Sequence, residues 1–370
     1  MDYDIEALLQ GSAGSKGEGM FSERLKKLKA YVPGEQPQDR KYIKLNTNES
    51  PYPPSPGVRD LLAGFDAGRL RLYPDPQAGR LRERLAEVYG VDREMVFVGN
   101  GSDETLSFCF YAFFDSSRGS LLFPAFTYSF YPVYCDFYGI DYERVPLAGD
   151  FSVRVEEYLG RDSCGIIIAN PNAPTGISLP LERIRYLLDR YPEDKAVILD
   201  EAYVDFGAET ALPAVREHGN LLIARTFSKG MSLAGIRLGF VIGHESLIHA
   251  LTTVKDSFNS YPVSMLSQLI AETALQDEGY YRIMRQKITA TRQNFSSELQ
   301  GLGWDVLPSK ANFVFARKRG VSGGEVYRTL KQKGILVRHF DLEGIRDFVR
   351  ITIGTDEDMR VLLDELGEWK

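Results

Sequence analysis

The chain has 370 residues, too many for one hydrophobic core, so more than one domain is expected. Apolar residues make up 44% and charged residues 26%, an ordinary globular balance, and no apolar run reaches membrane-spanning length. A formal net charge of −7 argues against sequence-independent binding to nucleic acid. Residues 1–20, with Gly11-Ser12-Ala13-Gly14-Ser15-Lys16-Gly17 at their centre, read as a flexible segment. They open on the acidic Met1-Asp2-Tyr3-Asp4 and lack the basic and apolar regions of a signal peptide. Residues 21–60 pass through Pro51, Pro53, Pro54 and Pro56 and read as an extended N-terminal arm that joins a small domain.

Leu81, Leu85, Val88 and Tyr89 recur at helical spacing and predict an amphipathic helix. From Met95 to Gly243 strand patterns alternate with helix patterns, which predicts a mostly parallel sheet covered on both faces. This places a large domain over residues 61–275. A helical region is expected from Ser264 to about Leu302. Residues 276–370 then form a small α+β domain, with strands near Trp304–Leu307, Asn312–Ala316, Ile335–Arg338 and Phe348–Ile353. Its helices are expected near Gly324–Lys333 and Asp356–Leu366. Cys109, Cys135 and Cys164 are odd in number and scattered through apolar segments, as expected of reduced thiols in a cytoplasmic protein. His218, His244, His249 and His339 show no metal-ligand spacing, and no metal is expected.

Four strand ends carry chemistry. Val96-Phe97-Val98 runs into Gly99-Asn100-Gly101-Ser102-Asp103-Glu104, a turn that opens a helix. Glycines allow close backbone approach there, and the helix start offers free N–H groups to an anion. Asp103 and Glu104 suit the helix dipole but would repel a phosphate they faced, so contact is expected from Ser102 and the backbone. Gly165-Ile166-Ile167-Ile168 leads into the stiff turn Asn170-Pro171-Asn172-Ala173-Pro174-Thr175-Gly176. Lys195-Ala196-Val197-Ile198-Leu199 ends in Asp200-Glu201-Ala202-Tyr203, an acid where open α/β sheets bind ligands. Asn220-Leu221-Leu222-Ile223-Ala224-Arg225 ends in Thr226-Phe227-Ser228-Lys229, with Arg237 eight residues after the lysine. A lysine so placed can condense with a carbonyl, and the hydroxyl and guanidinium beside it suit a phosphate.

Together with Leu45-Asn46-Thr47-Asn48-Glu49-Ser50-Pro51, Tyr73-Pro74-Asp75-Pro76, Gly334-Ile335-Leu336-Val337-Arg338 and Val349-Arg350-Ile351-Thr352-Ile353-Gly354, these segments make the chain resemble the class I/II aminotransferases. These are pyridoxal 5′-phosphate enzymes of fold type I. The likeness spans roughly residues 21–370. Within the family it looks most like the histidinol-phosphate aminotransferases, whose marks are largely shared by aromatic aminotransferases and phosphothreonine decarboxylases. The resemblance implies a large domain with a mostly parallel seven-stranded sheet between helices, plus a smaller α+β domain. A regulator using this fold as a sensor would add a DNA-binding module, for which residues 1–20 are too short.

Residue by residue, the resemblance implies that Lys229 links covalently to the cofactor and later carries a proton. Asp200 would pair with the ring nitrogen, Tyr203 would donate to the ring oxygen, and Tyr128 would stack on the ring. Gly101, Ser102, the backbone of Asp103, Ser228 and Arg237 would hold the phosphate, and Tyr73 would reach a partner's cofactor across a homodimer interface. Tyr31, Asn48, Arg338 and Arg350 would bind small-molecule substrates, with Arg350 on the carboxylate of glutamate and both arginines on a substrate phosphate. One position departs from the pattern. The family's asparagine before Pro-Thr-Gly is Ala173 here, so the ring-oxygen contact is left to Tyr203 or to Asn172 in a shifted loop.

Overall fold

Residues 21–26 and 28–369 are described by the structure, a computed structural model. The flexible segment expected for residues 1–20 lies outside them. The arm carries α1 (Glu23–Lys26) and β1 (Ile43–Lys44), and α2 (Pro56–Ala63) and α3 (Gly79–Tyr89) precede β2 (Val96–Gly99). Then come α4 (Gly101–Phe113), β3 (Ser120–Pro124), α5 (Tyr131–Tyr138), β4 (Tyr142–Val145), β5 (Ser163–Ala169) and α6 (Leu181–Leu188). Strands β6 (Ala196–Asp200), β7 (Leu221–Thr226) and β8 (Gly239–Gly243) complete the large sheet, followed by α7 (Glu245–Phe258), α8 (Met265–Gln276) and α9 (Glu278–Gly301). The last part holds β9 (Trp304–Val306), β10 (Phe313–Lys318), α10 (Gly323–Gln332), β11 (Ile335–Leu336), β12 (Arg338–His339), β13 (Val349–Thr352) and α11 (Asp356–Gly367).

The large sheet has the order β2-β8-β7-β6-β5-β3-β4, and β8 runs antiparallel to both its neighbours while the other pairings are parallel. Alternation along the central strands fills both faces. Ile166, Ile168, Val197, Leu199, Leu221 and Ile223 pack into one core, and Ile167, Ile198, Leu222 and Ala224 into the other. Because six strands share a direction, Gly99, Pro124, Ala169, Asp200 and Thr226 end along one edge. That edge is where a doubly wound sheet leaves room for a ligand.

The smaller sheet, β12-β13-β10-β9, is antiparallel. It shares a core with α9, α10 and α11 through Phe295, Leu299, Trp304, Val314, Leu330, Val349 and Leu362. Leu45 of the arm and Phe206 from beyond β6 enter the same core, which ties the arm and the large sheet to the small one. The arm also pairs directly, β1 lying parallel to β11. Helix α11 starts on a reciprocal cap between Thr355 and Asp358, and α2 on Ser55 with Pro56 in its first turn.

Several local expectations change. Helix α3 buries Leu81, Leu85 and Ala86, while Val88 is 41% exposed and turned from the core. The long helical region breaks at Asp277 into α8 and α9. The strand expected over Ile335–Arg338 splits, since β11 pairs with the arm and β12 with β13. Cys109, Cys135 and Cys164 are buried and unbonded, and burial pushes their thiols up from the ordinary range. Among the described residues no helix is long and apolar enough to cross a membrane.

Candidate active site

A cavity of about 420 Å³ lies at the carboxyl edge of the large sheet, closed on its far side by the small sheet and the arm. Lys229, Asp200, Tyr203, Ser102, Asp103, Tyr128, Ser228 and Arg237 line it from the large-sheet side. Tyr31, Asn48, Arg338 and Arg350 line it from the other. Lys229 follows β7 by three residues, and its Nζ donates to the Thr47 carbonyl at 3.0 Å and lies 5.9 Å from the centre of the Tyr203 ring. Burial and then Arg350 and Arg237 pull its ammonium down to a pKa of about 8, against the opposing pull of Glu49 and Asp103.

Asp200, the last residue of β6, is 6% exposed. Its Oδ2 accepts from the Tyr131 hydroxyl at 2.9 Å and its Oδ1 from the Ala202 N–H at 3.1 Å. Burial nonetheless pushes its pKa up to about 6, with the two hydrogen bonds acting the other way. A buried carboxyl so raised has room for a cationic partner. A protonated pyridine nitrogen is such a partner.

The anion end forms where α4 begins. Gly101 has φ +83, and a Cβ there would come within 2.7 Å of Arg237 Nη2; one at Gly239 would come within 2.4 Å of the Ser102 nitrogen. Both glycines let the β8 strand and Arg237 close on the helix start. Arg237 itself sits at φ +50. The Asp103 carboxylate accepts from Arg237 Nη2 at 2.9 Å and from the Tyr128 hydroxyl at 2.9 Å. The carboxylate thus faces the cavity as a brace between Arg237 and Tyr128, and its bond to Arg237 offsets the repulsion that a facing carboxylate would offer a phosphate. Glu104 does turn back, accepting from the Asn100 N–H.

Arg350 of β13 lies over the rings of Phe313 and Phe340, its carbon 5.3 and 5.6 Å from their centres, and Nη2 donates to the Asn46 carbonyl at 3.0 Å. Its Nε is buried with no partner, and burial pulls the guanidinium down from its ordinary pKa. Arg338 lies over the Phe340 ring, its carbon 5.5 Å from the centre, and its hydrogen bonds are long, 3.3 and 3.4 Å, to the Val32 and Pro33 carbonyls of the arm. Tyr31 rests against Phe130 with ring centres 4.8 Å apart.

Three expected residues stand apart from the cavity wall. Asn172 spends its amide on Phe126 O and Thr175 Oγ1, and its oxygen accepts from Thr127, so it pins one turn to the next. Ala173 lines the cavity in its stead. Gly101 acts through the space it leaves to Arg237. Tyr73 is 81% exposed and packs against Tyr261. Sequence reasoning missed Thr47, which holds the lysine, and Tyr131, which holds the acid. Tyr131 is fully buried and looks like any core aromatic in the run Phe126 to Tyr134, so no local signal singled it out.

The donor set fits a phosphorylated pyridine aldehyde. Ser102, Ser228, Arg237 and the start of α4 would hold the phosphate, Asp200 the protonated ring nitrogen and Lys229 the aldehyde.

Comparisons with known proteins agree with this chemistry. The chain is 58% identical to the histidinol-phosphate aminotransferase of Syntrophus aciditrophicus over 355 residues, 95% of this chain and 98% of that one. It is 52% identical to histidinol-phosphate aminotransferase 1 of Bradyrhizobium diazoefficiens, over 94% of this chain and 98% of that one. The crystal structure of histidinol-phosphate aminotransferase from Sinorhizobium meliloti in complex with pyridoxal-5′-phosphate superposes with a TM-score of 0.85 at 27% identity, covering 97% of this chain and 98% of that one. The family profile for aminotransferase class I and II matches residues 40–366, which takes in the whole lysine–acid–arginine constellation. The chain belongs to the class I and II aminotransferase family.

Proposed function

We propose that the protein is a pyridoxal-phosphate-dependent histidinol-phosphate aminotransferase. It would move an amino group between L-histidinol phosphate and 2-oxoglutarate, giving imidazole-acetol phosphate and L-glutamate, a reaction of histidine biosynthesis. The observation that carries the reading is the pair Arg338 and Arg350, which share one cavity with Lys229. One guanidinium lies over two rings with an unspent N–H. The other lies over the same Phe340 ring and makes only long bonds, to arm carbonyls. Such a pair serves substrates ending in either a carboxylate or a phosphate. The two curated relatives at 58% and 52% identity carry the same activity in their names.

Pyridoxal phosphate supplies an electron sink for the charge left when the substrate α-proton departs. The chain's own groups do the rest. Lys229, its pKa lowered to about 8, becomes a free amine far more readily than an ordinary lysine and so can take that proton and return it. Asp200 would hold the proton of the ring nitrogen. Arg350 orients the glutamate carboxylate, and Arg338 turns from the arm carbonyls to a substrate phosphate. The phenyl walls of Phe313 and Phe340 hold water off the Arg350 guanidinium.

Two broader parts of the reading go with it. The large domain spans residues 61–275, and residues 276–370 with the arm make the small one. The working form is a cytoplasmic homodimer in which Tyr73 serves the partner's site; Tyr73 and Tyr261, in ring contact with each other, are exposed, as are Leu70 and Leu72 just before Tyr73 in the chain. Addition of L-glutamate, histidinol phosphate or phenylalanine to the cofactor-loaded protein tests the assignment. Rapid conversion of the cofactor spectrum by glutamate and histidinol phosphate is expected. Rapid turnover of phenylalanine with none of histidinol phosphate would move the activity to aromatic substrates, and release of carbon dioxide would make the protein a decarboxylase.

A further inference from the structure

Asn48 is 1% exposed and lies at φ +57, and its position is tied down from three sides. The Asn312 amide donates to its carbonyl at 2.9 Å. Its backbone N–H donates to Thr352 Oγ1 at 3.0 Å, and Thr352 Oγ1 in turn donates to Asn48 Oδ1 at 3.0 Å. The threonine oxygen accepts from the backbone N–H through one of its two lone pairs and gives its hydrogen to Oδ1. That sets which end of the Asn48 amide is which. Nδ2 then donates to the Tyr203 hydroxyl oxygen at 2.9 Å.

We propose that Thr352 and Asn48 form a relay of fixed hydrogen-bond polarity that makes Tyr203 a hydrogen donor to the cavity. Asn48 is thereby a positioning residue, acting through Tyr203. The Tyr203 oxygen accepts from the amide, so its own hydrogen is left for what binds in the cavity. Its ring is fixed edge-on to Phe313, with centres 5.1 Å apart. The turn at Ala173 supplies no polar side chain there, so Tyr203 is the donor on which the chain relies at that wall. The relay starts on β13, three residues from its start at Val349 and two residues beyond Arg350. Seating of a substrate anion on Arg350 and the donor character of Tyr203 therefore share one strand.

The inference rests on the pyridoxal-phosphate reading above. A donor to the cofactor's ring oxygen stabilises its anionic form and lowers the pH at which the cofactor–lysine link gives up its proton. The test is a pH titration of the visible absorbance of the cofactor-loaded protein without substrate. Thr352→Val breaks the relay at its origin, and Thr352→Ser keeps the hydroxyl. Asn48→Gly removes the amide at a residue whose φ glycine accepts without strain, and keeps the test open if Thr352→Val does not fold. The expected result is a midpoint raised by about 0.5 to 1 pH unit in Thr352→Val and Asn48→Gly, and the parent value in Thr352→Ser. Unchanged midpoints in the first two, with the cofactor bound, would overturn the relay. A parent protein that shows no such absorbance on loading would instead overturn the cofactor reading beneath it.

Discussion

The hydroxyl of Tyr131, the first residue of α5, donates to Oδ2 of Asp200, the last residue of β6, at 2.9 Å. Sixty-nine residues apart, the two meet on a face of the sheet where both are buried. The bond opposes the burial that raises the Asp200 pKa, and so holds the carboxylate in the form a protonated ring nitrogen needs. Tyr131→Phe should raise that pKa further, weaken cofactor binding about tenfold and slow turnover by a similar factor. Titration of apoprotein with pyridoxal phosphate, followed by absorbance, measures the first effect. Equal affinity in the variant would remove Tyr131 from the site.

Asp200 itself works against the stability of the cofactor-free protein. Its folded pKa, about 6, lies above the ordinary 3.8, so the folded state holds the proton more tightly. The group therefore stabilises folding least above pH 6, and apoprotein stability should fall as pH rises from about 4 to about 6. Asp200→Asn should remove this dependence and raise apoprotein stability at pH 7 by about 1 to 3 kcal/mol, while lowering turnover by about 10²-fold or more. Thermal melts across that pH range decide it, and a less stable apo variant would contradict it.

Lys229 has the mirror behaviour. Its pKa is depressed from 10.5 to about 8, so the unfolded chain holds that proton more tightly. Folding is penalised below pH 8, and the penalty is relieved as pH rises from about 8 to about 10.5. In a cleft reached by water the neutral Lys229→Met should stabilise apoprotein at pH 7 by about 1 to 2 kcal/mol, a margin that vanishes above pH 10. Turnover should fall by at least about 10³-fold. Denaturant melts at pH 7 and pH 10 are the measurement; a margin that grows with pH would be the wrong sign.

The two arginines should separate in kinetics. Arg338→Ala leaves Arg350 in place over Phe313 and Phe340, and should cost the phosphorylated substrate about 10- to 100-fold in kcat/KM while sparing glutamate. Arg350→Ala should harm both. Half-reaction rates with each amino donor read this directly, and equal losses for both donors in Arg338→Ala would refute the division.

Much of the fold was legible because its signals are local. Apolar runs such as Gly165-Ile166-Ile167-Ile168 and Leu221-Leu222-Ile223-Ala224 must be buried, and the turns after them are rich in glycine, proline and polar residues. The same locality placed Asp200, Lys229 and Ser102 at strand ends. Misreadings fell where packing overrode a local pattern: Val88 keeps the helical spacing but faces solvent, and Ile335 to Arg338 splits between two sheets.

What the amino-acid order determined by itself was therefore the run of strands and helices and the chemical identity of the residues closing each strand, since both depend on neighbours a few positions away. Tertiary structure alone decided who meets whom. Thr47 reaches Lys229 across 182 positions, Asn48 reaches Tyr203 across 155, and Thr352 reaches Asn48 across 304. Hydrogen bonds of that span leave no periodicity or composition in the chain. They arise only when the arm and the small sheet close on the edge of the large one, where burial makes each polar partner necessary.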